Sequence, residues 1–462
     1  MGGSGVAPHR PVRSRCRDRS ALRARHRLAH ARRHRARGRS GRERHVSRRV
    51  VVTGIGPITA SGIGRAGLEE GLRGGRSPVD RISRFDPSPF RSHIAAEVPD
   101  FEPTHHMDAA RAKRLDRFGQ FSIASARLAL EDAALDETRL DGDRVAVQMG
   151  SALGGVSHAE AELQNYLTRG VRGVDPRLAL TVFGGAASCN VAIEFGFRGP
   201  NSTNAMSCAS GTIAVGEAWR LIRDGSADVA LAGGIEAPLS PLSYGAFAII
   251  RAMSTRNDDP ARACRPFDAA RDGFVMGEGA CTLVLETLEH ATARGARIHA
   301  EILGYANSND AHHMTAPLPD GSQAARAMRM ALERADVRPE QIDYVNAHAS
   351  STPLNDSTES LALRTVFGER ADVLPVSGTK PFYGHALGAS GAIETGICCM
   401  ALQSGWMPPT LNLEEPGDGC DLNYVSGAGR TAELRHVLTN SFGFGGINAC
   451  LVLGRAAENG AA

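Results

Sequence analysis

The feature that most constrains the fold is the alternation of short β-branched runs with helix-like stretches from residue 48 onward. Val50-Val51-Val52 leads into Gly54, a pattern typical of a buried strand that ends in a tight turn. Residues 109–135 and 321–335 instead space their apolar side chains with a helical period. Because strands that alternate with helices pack as layers, the sequence predicts an α/β fold.

The pattern occurs twice along the chain. Apolar runs predict strands at 49–54, 145–150, 228–234 and 281–286, and again at 300–305, 342–347, 437–440 and 448–453, with a further helix at 385–403. No linker separates the two halves, 48–297 and 298–455. We therefore expect one compact unit built from a duplicated motif, followed by a short tail at 456–462.

The first 47 residues differ sharply from the rest in charge. Residues 1–49 hold 17 Arg, no Lys and two acids, for a local net charge of +15, whereas the whole chain carries +3. Such a segment cannot bury enough apolar surface to offset its ordering entropy, so we expect a disordered head at 1–47. An over-extended start, with the natural N-terminus near Val46, is the preferred interpretation. A targeting peptide and a nucleic-acid-binding arm are the alternatives.

Cysteine usage and hydropathy narrow the cellular context. The nine cysteines form no CxxC pair and no Cys/His metal spacing. An odd number without a secretory signal favours reduced thiols in a cytoplasmic protein, and no metal site is expected. The chain also lacks an apolar run of about 18 residues, so no membrane span is predicted. The adjacent Cys398 and Cys399 fall in an apolar helical pattern and are expected in the core.

One segment combines a thiol with a predicted helix start. Cys208 lies between Asn204 and Gly211 and precedes a helical run. At a helix N-terminus, unpaired N–H groups and the positive end of the dipole favour thiolate over thiol. A lone cysteine is more often a buried structural residue, so this segment by itself leaves both interpretations open.

Three further segments carry imidazole, ammonium and aromatic groups. His348 follows a predicted strand, and His385 lies between glycines at the predicted start of a helix. Lys380 either pairs with Glu394 or is solvated. Phe444 lies in a glycine-rich loop between two strands, which is either a simple turn or a source of backbone N–H donors. That loop does not precede a helix, so a dinucleotide site is rejected.

Together, and in this order, the segments resemble the β-ketoacyl-ACP synthases of the elongating, two-histidine branch. The motifs that carry the resemblance are the Cys208 segment, NAHASSTP at 346–353, GTKPFYGHALGASG at 378–391 and NSFGFGG at 440–446. The likeness runs from Arg49 to about Gly454 and is strongest to the type II fatty acid and polyketide synthases. It implies a thiolase-like fold, with two similar halves in five αβαβα layers, and an obligate dimer.

The resemblance implies a chemical role for each motif residue. Cys208 would be the nucleophile that accepts the acyl group from an acyl carrier protein (ACP). His348 and His385 would drive decarboxylation of malonyl-ACP and stabilise the thioester enolate. Lys380 would be a supporting active-site lysine, with Glu394 as its partner.

The same likeness assigns residues along the substrate path. Phe444 would be a gating phenylalanine, with Phe247 as a second aromatic at the gate. The backbone N–H groups of Cys208 and Phe444 would form an oxyanion hole. Ser350 and Thr352 would hydrogen-bond the pantetheine amides.

Partners follow from the same resemblance. Substrates would arrive on the phosphopantetheine of ACP, so no separate cofactor and no nucleic-acid partner are expected. Carrier proteins are acidic, which makes the basic residues Arg251 and Arg256 the docking candidates. The dimer would contain either a second copy of the chain or a chain-length-factor homologue.

Several positions depart from the family pattern and bear on the substrate. The departures are Ser350 for Thr, His312 for Tyr, the aromatic pair Phe382-Tyr383, and Ile447 for Thr. We expect them near the acyl or pantetheine path, which favours a type II polyketide or polyene ketosynthase over a housekeeping fatty acid synthase. A non-catalytic chain-length-factor-like subunit and a thiolase with Cys450 as second cysteine are the remaining alternatives.

Overall fold

The computed structural model describes residues 48–456. The predicted head at 1–47 lies outside the described residues, and so does the predicted tail at 456–462 apart from Ala456. Both stay predictions.

The strands recur through both halves of the chain. In order they are β1 Val50–Thr59, β2 Gly62–Ile63, β3 Asp80–Arg81, β4 Ile94–Ala95, β5 Val145–Gly150, β6 Asn201–Asn204, β7 Val229–Glu236, β8 Gly279–Thr287, β9 Ala300–Asn309, β10 Tyr344–Asn346, β11 Val376–Ser377, β12 Trp406–Met407, β13 Arg430–Thr431, β14 His436–Gly443 and β15 Ile447–Gly454.

Helices fill most of the connections between them. In order they are α1 Gly64–Gly74, α2 Ala109–Ala112, α3 Arg117–Asp132, α4 Val156–Arg169, α5 Leu178–Thr181, α6 Ala186–Phe195, α7 Ser210–Arg223, α8 Pro241–Ile249, α9 Leu288–Ala293, α10 Ser322–Ala335, α11 Pro353–Phe367 and α12 Ser390–Ser404. No helix in residues 48–456 is both long and apolar enough to cross a bilayer.

The strand order shows the predicted duplication. The large sheet runs β11-β10-β14-β15-β9-β1-β8-β7-β5-β6. In the first half, β5 pairs in parallel with β6 and β7, and β7, β8 and β1 follow antiparallel. In the second half, β10 pairs in parallel with β11 and β14, and β14, β15 and β9 follow antiparallel. Two residue pairs between β1 and β9 join the halves.

Helices complete a five-layer αβαβα arrangement. α7 and α12 pack against each other and against strands of both halves, so they form the central layer. All residues of α12 from Ser390 to Leu402 are buried, as expected for a helix covered on every side. α3 and α6 cover the first half of the sheet. α10 covers the second half, and α11 shares its buried core with β10, β11 and β14. The predicted fold class is therefore confirmed.

Local boundaries correct three of the expectations. The predicted helix at 109–135 is interrupted, because the Asp116 carboxylate accepts the Gly119 N–H at 3.0 Å and caps a new helix. The predicted helix at 385–403 begins only at Ser390, so His385 lies before it. β1 does not end at Gly54. A Cβ there would lie 2.1 Å from the Ala129 carbonyl oxygen, so the glycine permits close approach of α3 instead of a turn.

Candidate active site

Cys208 lies in a single 3₁₀ turn, Ser207–Ala209, directly before α7. Ser207 has a φ of +52°, a left-handed conformation that is costly for a residue other than glycine. Cys208 is only 8% exposed, and its Sγ lies 3.0 Å from Nε2 of His385. The chain thus brings together a thiol and an imidazole that are 177 residues apart.

Desolvation dominates the ionisation of this thiol. Burial raises the pKa of Cys208, although Ser207, Lys380 and the backbone N–H of Phe444 act in the opposite direction. The expectation that the helix N-terminus favours a resting thiolate is therefore wrong for this site. The thiol is neutral until a base accepts its proton, and His385 Nε2 is the atom in position to do so.

The two histidines converge on the same point from different elements. His348 follows β10 and His385 precedes α12, and their ring centroids lie 5.3 Å apart. Burial lowers the pKa of each well below the usual value, and the Lys380 charge adds to the effect. Both rings are therefore neutral at physiological pH and can act as hydrogen-bond donors or acceptors.

A buried ion pair supports His348. Lys380 Nζ lies 2.5 Å from Glu394 Oε1, and both side chains are fully buried. The same ammonium donates to the His348 carbonyl oxygen and lies 3.4 Å from His348 Nδ1. Because ammonium can only donate, this contact places the His348 proton on Nε2. Burial raises the pKa of Glu394 to about 7, with Lys380 opposing the rise.

Glu359 holds the backbone of the His348 loop. Its two carboxylate oxygens accept the N–H groups of His348 and Ala349 at 2.9 and 2.8 Å. Asn440 donates to the same carboxylate at 3.2 Å. The sequence did not identify Glu359, because a single glutamate within a helical run gives no local signal.

A cavity of about 350 Å³ leads from the surface to Cys208, His348 and His385. Phe247 and Phe444, both predicted at the gate, line it and stack with ring centroids 6.2 Å apart. Phe274 also lines the cavity and contacts the His385 ring edge-on at 5.4 Å. Phe274 was missed from the sequence because nothing local distinguishes it from an ordinary core aromatic.

Ser350 and Thr352, predicted to contact pantetheine, and Arg251, predicted to dock ACP, line the same cavity. The Ser350 and Thr352 hydroxyls lie 2.9 Å apart. Thr352 also caps α11 by accepting the Asn355 N–H at 3.3 Å. Arg251 is exposed, whereas Arg256 is half-buried and is not part of the lining.

The family departures differ in whether they line the cavity. Ser350 is part of the lining, but His312, Phe382, Tyr383 and Ile447 are not. Phe382 and Tyr383 are fully buried, and the Tyr383 hydroxyl donates to Glu394 Oε1 at 3.2 Å. The expectation that the departures lie near the substrate path stays a prediction. Gly446 and Asn448, on either side of Ile447, line the cavity, whereas Phe382 and Tyr383 are core residues.

No cluster of three or more His, Cys, Asp or Glu within residues 48–456 is arranged to hold a metal ion. Among the buried oxygens of the described residues, Asn346 Oδ1, Glu394 Oε2 and Asn440 Oδ1 receive no hydrogen bond. Acceptors of this kind suit ordered water or an oxygen-liganded cation.

Comparison with known proteins agrees with this geometry. Residues 47–291 match the family profile of the beta-ketoacyl synthase N-terminal domain, and residues 299–414 match that of the C-terminal domain. The 3-oxoacyl-[acyl-carrier-protein] synthase 2 of Coxiella burnetii is 44% identical over 408 residues, which cover 88% of this chain and 99% of that protein. The putative polyketide beta-ketoacyl synthase 1 of Streptomyces halstedii is 45% identical over 415 residues, covering 88% and 98%.

Solved structures give the same result. The ishigamide ketosynthase/chain length factor aligns with a TM-score of 0.84 and 38% identity, covering 89% of this chain and 100% of that one. A type II polyketide ketosynthase, solved with its acyl-carrier protein and bound to the hexaketide, aligns with a TM-score of 0.82 and 34% identity over the same shares. This chain therefore belongs to the β-ketoacyl synthase family of acyltransferases.

Proposed function

We propose that this enzyme condenses an acyl group held on Cys208 with malonyl-ACP, in a type II polyketide or polyene pathway. The observation that carries the proposal is the 3.0 Å contact between Cys208 Sγ and His385 Nε2, at the end of a cavity that His348 also lines. A nucleophile beside a neutral base, with a second donor close by, is the arrangement that covalent acyl transfer requires.

In the first stage, Sγ of Cys208 attacks the acyl-ACP thioester. A new sulfur–carbon bond forms, the bond to the ACP sulfur breaks, and the thiol proton leaves through His385 to the departing thiolate. Negative charge develops on the acyl oxygen. The backbone N–H groups of Cys208 and Phe444 are the proposed oxyanion hole, and the Phe444 N–H acts to lower the pKa of the Cys208 thiol.

In the second stage, malonyl-ACP loses carbon dioxide. The bond to its carboxylate breaks, and the electron pair forms an enolate whose oxygen accepts hydrogen bonds from Nε2 of His348 and His385. The enolate carbon then attacks the Cys208 thioester, and the thiolate leaves. Lys380 maintains the Nε2 tautomer of His348 through its contact with Nδ1.

The substrate arm and its carrier meet the cavity at its mouth. The Ser350 and Thr352 hydroxyls are the proposed partners of the pantetheine amides. Arg251, exposed and part of the cavity lining, is the stronger docking candidate, and the half-buried Arg256 is the second. Reversing both charges should raise the apparent Kd for ACP at low salt, whereas Arg139→Glu, on a side chain 84% exposed elsewhere, should not. An unchanged Kd would remove both arginines from the interface.

A dimer is part of the proposal. β6 ends the large sheet and is partly exposed, and an edge strand of this kind can pair with another chain. Large apolar side chains exposed nearby in sequence support an interface, among them Leu167, Val171, Leu180 and Ile193. The partner is a second copy or a chain-length-factor homologue. Light scattering of the chain, alone and co-expressed with such a homologue, distinguishes the two.

Cys208 and the two histidines argue against a chain-length-factor role. Cys450 argues against a thiolase, because it is buried within β15 and is not part of the cavity lining. Housekeeping fatty acid elongation remains the alternative. The fatty acid synthase of Coxiella burnetii and the putative polyketide synthase of Streptomyces halstedii have almost the same sequence identity to this chain, 44% and 45%. A panel of saturated, polyene and polyketide acyl-ACPs, followed by intact mass of the enzyme, tests the choice. Preferential acylation by short saturated chains would overturn the polyketide assignment.

A further inference from the structure

A phenol hydroxyl lies beside the buried ion pair of Lys380 and Glu394. Tyr383 is fully buried, and its hydroxyl lies 3.2 Å from Glu394 Oε1, the oxygen that also contacts Lys380 Nζ at 2.5 Å. In the part of the chain that the structure describes, the other carboxylate oxygen, Oε2, receives no hydrogen bond. An ammonium and a phenol therefore share one oxygen of a carboxylate that is removed from water.

The direction of the hydrogen bonds around this phenol follows from the groups at their ends. An ionised carboxylate can only accept, so the Tyr383 O–H donates to Glu394. The phenol oxygen then accepts from the Thr379 hydroxyl, whose Oγ1 lies 2.9 Å away. Thr379 Oγ1 in turn accepts from Nδ2 of Asn346 at 3.3 Å. Each hydroxyl of this chain of contacts has both a donor and an acceptor as partners while Glu394 is ionised.

We propose that Tyr383 is a positioning residue for the decarboxylation stage, which keeps Glu394 ionised and thereby holds Lys380 against His348. This inference rests on the role proposed above for His348. The Lys380 ammonium donates to the His348 carbonyl oxygen and lies 3.4 Å from Nδ1, the contact that places the ring proton on Nε2. A buried ammonium without an ionised partner is costly, so a group that retains the charge on Glu394 also retains this contact.

Burial acts against the charge on Glu394. It raises the pKa of this carboxyl to about 7, whereas Lys380 and the Tyr383 hydroxyl act to lower it. The titratable side chains that face Glu394 are Lys380 and Tyr383 before α12, Glu359 of α11, Tyr344 of β10 and Cys398 of α12. The charge of Glu359 adds to the rise. Loss of the phenol hydroxyl should therefore raise the pKa of Glu394 further and neutralise it near physiological pH.

The test is Tyr383→Phe, which removes the hydroxyl and keeps the buried ring. Tyr305→Phe is the matched control, because Tyr305 is also fully buried and its hydroxyl accepts from Asn307 Nδ2 at 2.9 Å. Burial and the nearby Glu217 carboxylate raise the pKa of Tyr305, yet neither residue lines the cavity. Carbon dioxide release from malonyl-ACP, followed from about pH 6 to about pH 9, measures decarboxylation, and intact mass measures acylation of Cys208.

In the wild type, decarboxylation should slow on the acidic side as Glu394 takes up a proton. Loss of one hydrogen bond to a charged group should move this acidic limb up by about one pH unit in Tyr383→Phe, which slows decarboxylation about fivefold near pH 7. At about pH 9 Glu394 is ionised in both proteins, so their rates should agree to within about twofold. Acylation of Cys208 does not use the His348 ring and should keep its wild-type rate. Tyr305→Phe should match the wild type in both stages.

An acidic limb at the wild-type pH in Tyr383→Phe would overturn the inference, even if the rate fell at every pH. Equal slowing of acylation and decarboxylation would also overturn it, because a merely structural defect acts on both stages. Failure of the wild-type enzyme to release carbon dioxide from malonyl-ACP would instead overturn the proposed function.

Discussion

Two turns with nearly the same sequence meet at the centre of this molecule. Cys208-Ala209-Ser210-Gly211 and Gly388-Ala389-Ser390-Gly391 each form a 3₁₀ turn that leads into a central helix. Both turns contain a left-handed residue other than glycine, Ser207 at +52° and Leu387 at +39°. They approach closely, since a Cβ on Gly211 would lie 2.9 Å from the Gly388 carbonyl oxygen.

The two turns differ in function because they differ at one position. The first has a thiol at Cys208, where the second has Gly388, whose N–H donates to Glu236 at 2.9 Å. Glu236 also accepts the N–H groups of Ala152 and Leu153, so it ties the second turn to the β5 loop. The duplicated fold thus supplies two equivalent helix starts, one for the nucleophile and one to support His385.

The largest expected effect on activity comes from removing the thiol that distinguishes the first turn from the second. Cys208→Ala should lower acyl transfer to the enzyme by roughly 10³-fold or more, because no other group can hold the acyl chain. Intact mass after incubation with acyl-ACP measures it, and circular dichroism should show an unchanged fold. Cys189→Ala, at an exposed cysteine, is the control. Continued condensation by Cys208→Ala would refute the assignment of the nucleophile.

The two histidines should separate the stages of the reaction. His348→Ala should lower malonyl-ACP decarboxylation by about 10²–10³-fold, the effect of losing one charge-stabilising donor. Acylation of Cys208 should continue in that variant. His385→Ala should impair both stages, since its Nε2 contacts Sγ. Equal loss of acylation in the two variants would contradict the proposal that His385, but not His348, acts in the acylation of Cys208.

Glu236 should make stability depend on pH. Burial raises its pKa from 4.5 to about 7, against the backbone N–H groups that favour the ionised form. Between these values the folded state holds a proton that the unfolded state has lost. The contribution of Glu236 is therefore full below pH 4.5 and is lost as the pH rises to about 7, by up to about 3 kcal/mol.

Glu236→Gln should flatten that pH dependence in part, because Glu394 titrates in the same range. The side-chain amide of Glu236→Gln also has an NH₂ group that faces backbone N–H donors and cannot accept from them. The variant should therefore be less stable by about 1–3 kcal/mol. Urea unfolding from pH 4 to 8 measures both effects, with Glu70→Gln, at an exposed side chain, as control. If the free energy of unfolding of Glu236→Gln changed with pH as steeply as that of the wild type, the raised pKa of Glu236 would be contradicted.

The smallest effect is expected at the gate. Phe247→Ala removes an aromatic contact worth about 0.5–1.5 kcal/mol and widens the cavity beside Phe444. Transfer of short acyl chains should therefore change by tenfold or less, with a relative gain for bulkier chains. Competition between acyl-ACPs of different length measures the shift. If Phe247→Ala had the same preference among acyl-ACPs as the wild type, Phe247 would not contribute to the choice of substrate.

The sequence was most informative where structure depends on local patterns. The run Val145–Gly150 matched its predicted strand to the residue, and the helix at 321–335 matched to within one. The order of the motifs resembled one family and so assigned Cys208, His348, Lys380, His385 and Phe444 to one site. The structure brings these residues together around one cavity and the ion pair beside it. Periodicity, turn residues and motif spacing are properties of neighbouring residues, so they can be read along the chain.

Tertiary structure decided what depends on distant neighbours. The thiol pKa rose instead of falling, because burial by other elements outweighs the helix start that the sequence shows. Gly54 proved to be a close approach to α3, and Tyr383 a partner of Glu394 in the core. Ser390 Oγ lies 2.9 Å from His385 Nδ1, a contact with no local sign in the sequence. The sequence determined which groups were available and on which elements they lie, whereas burial and contacts across the fold determined their protonation and partners.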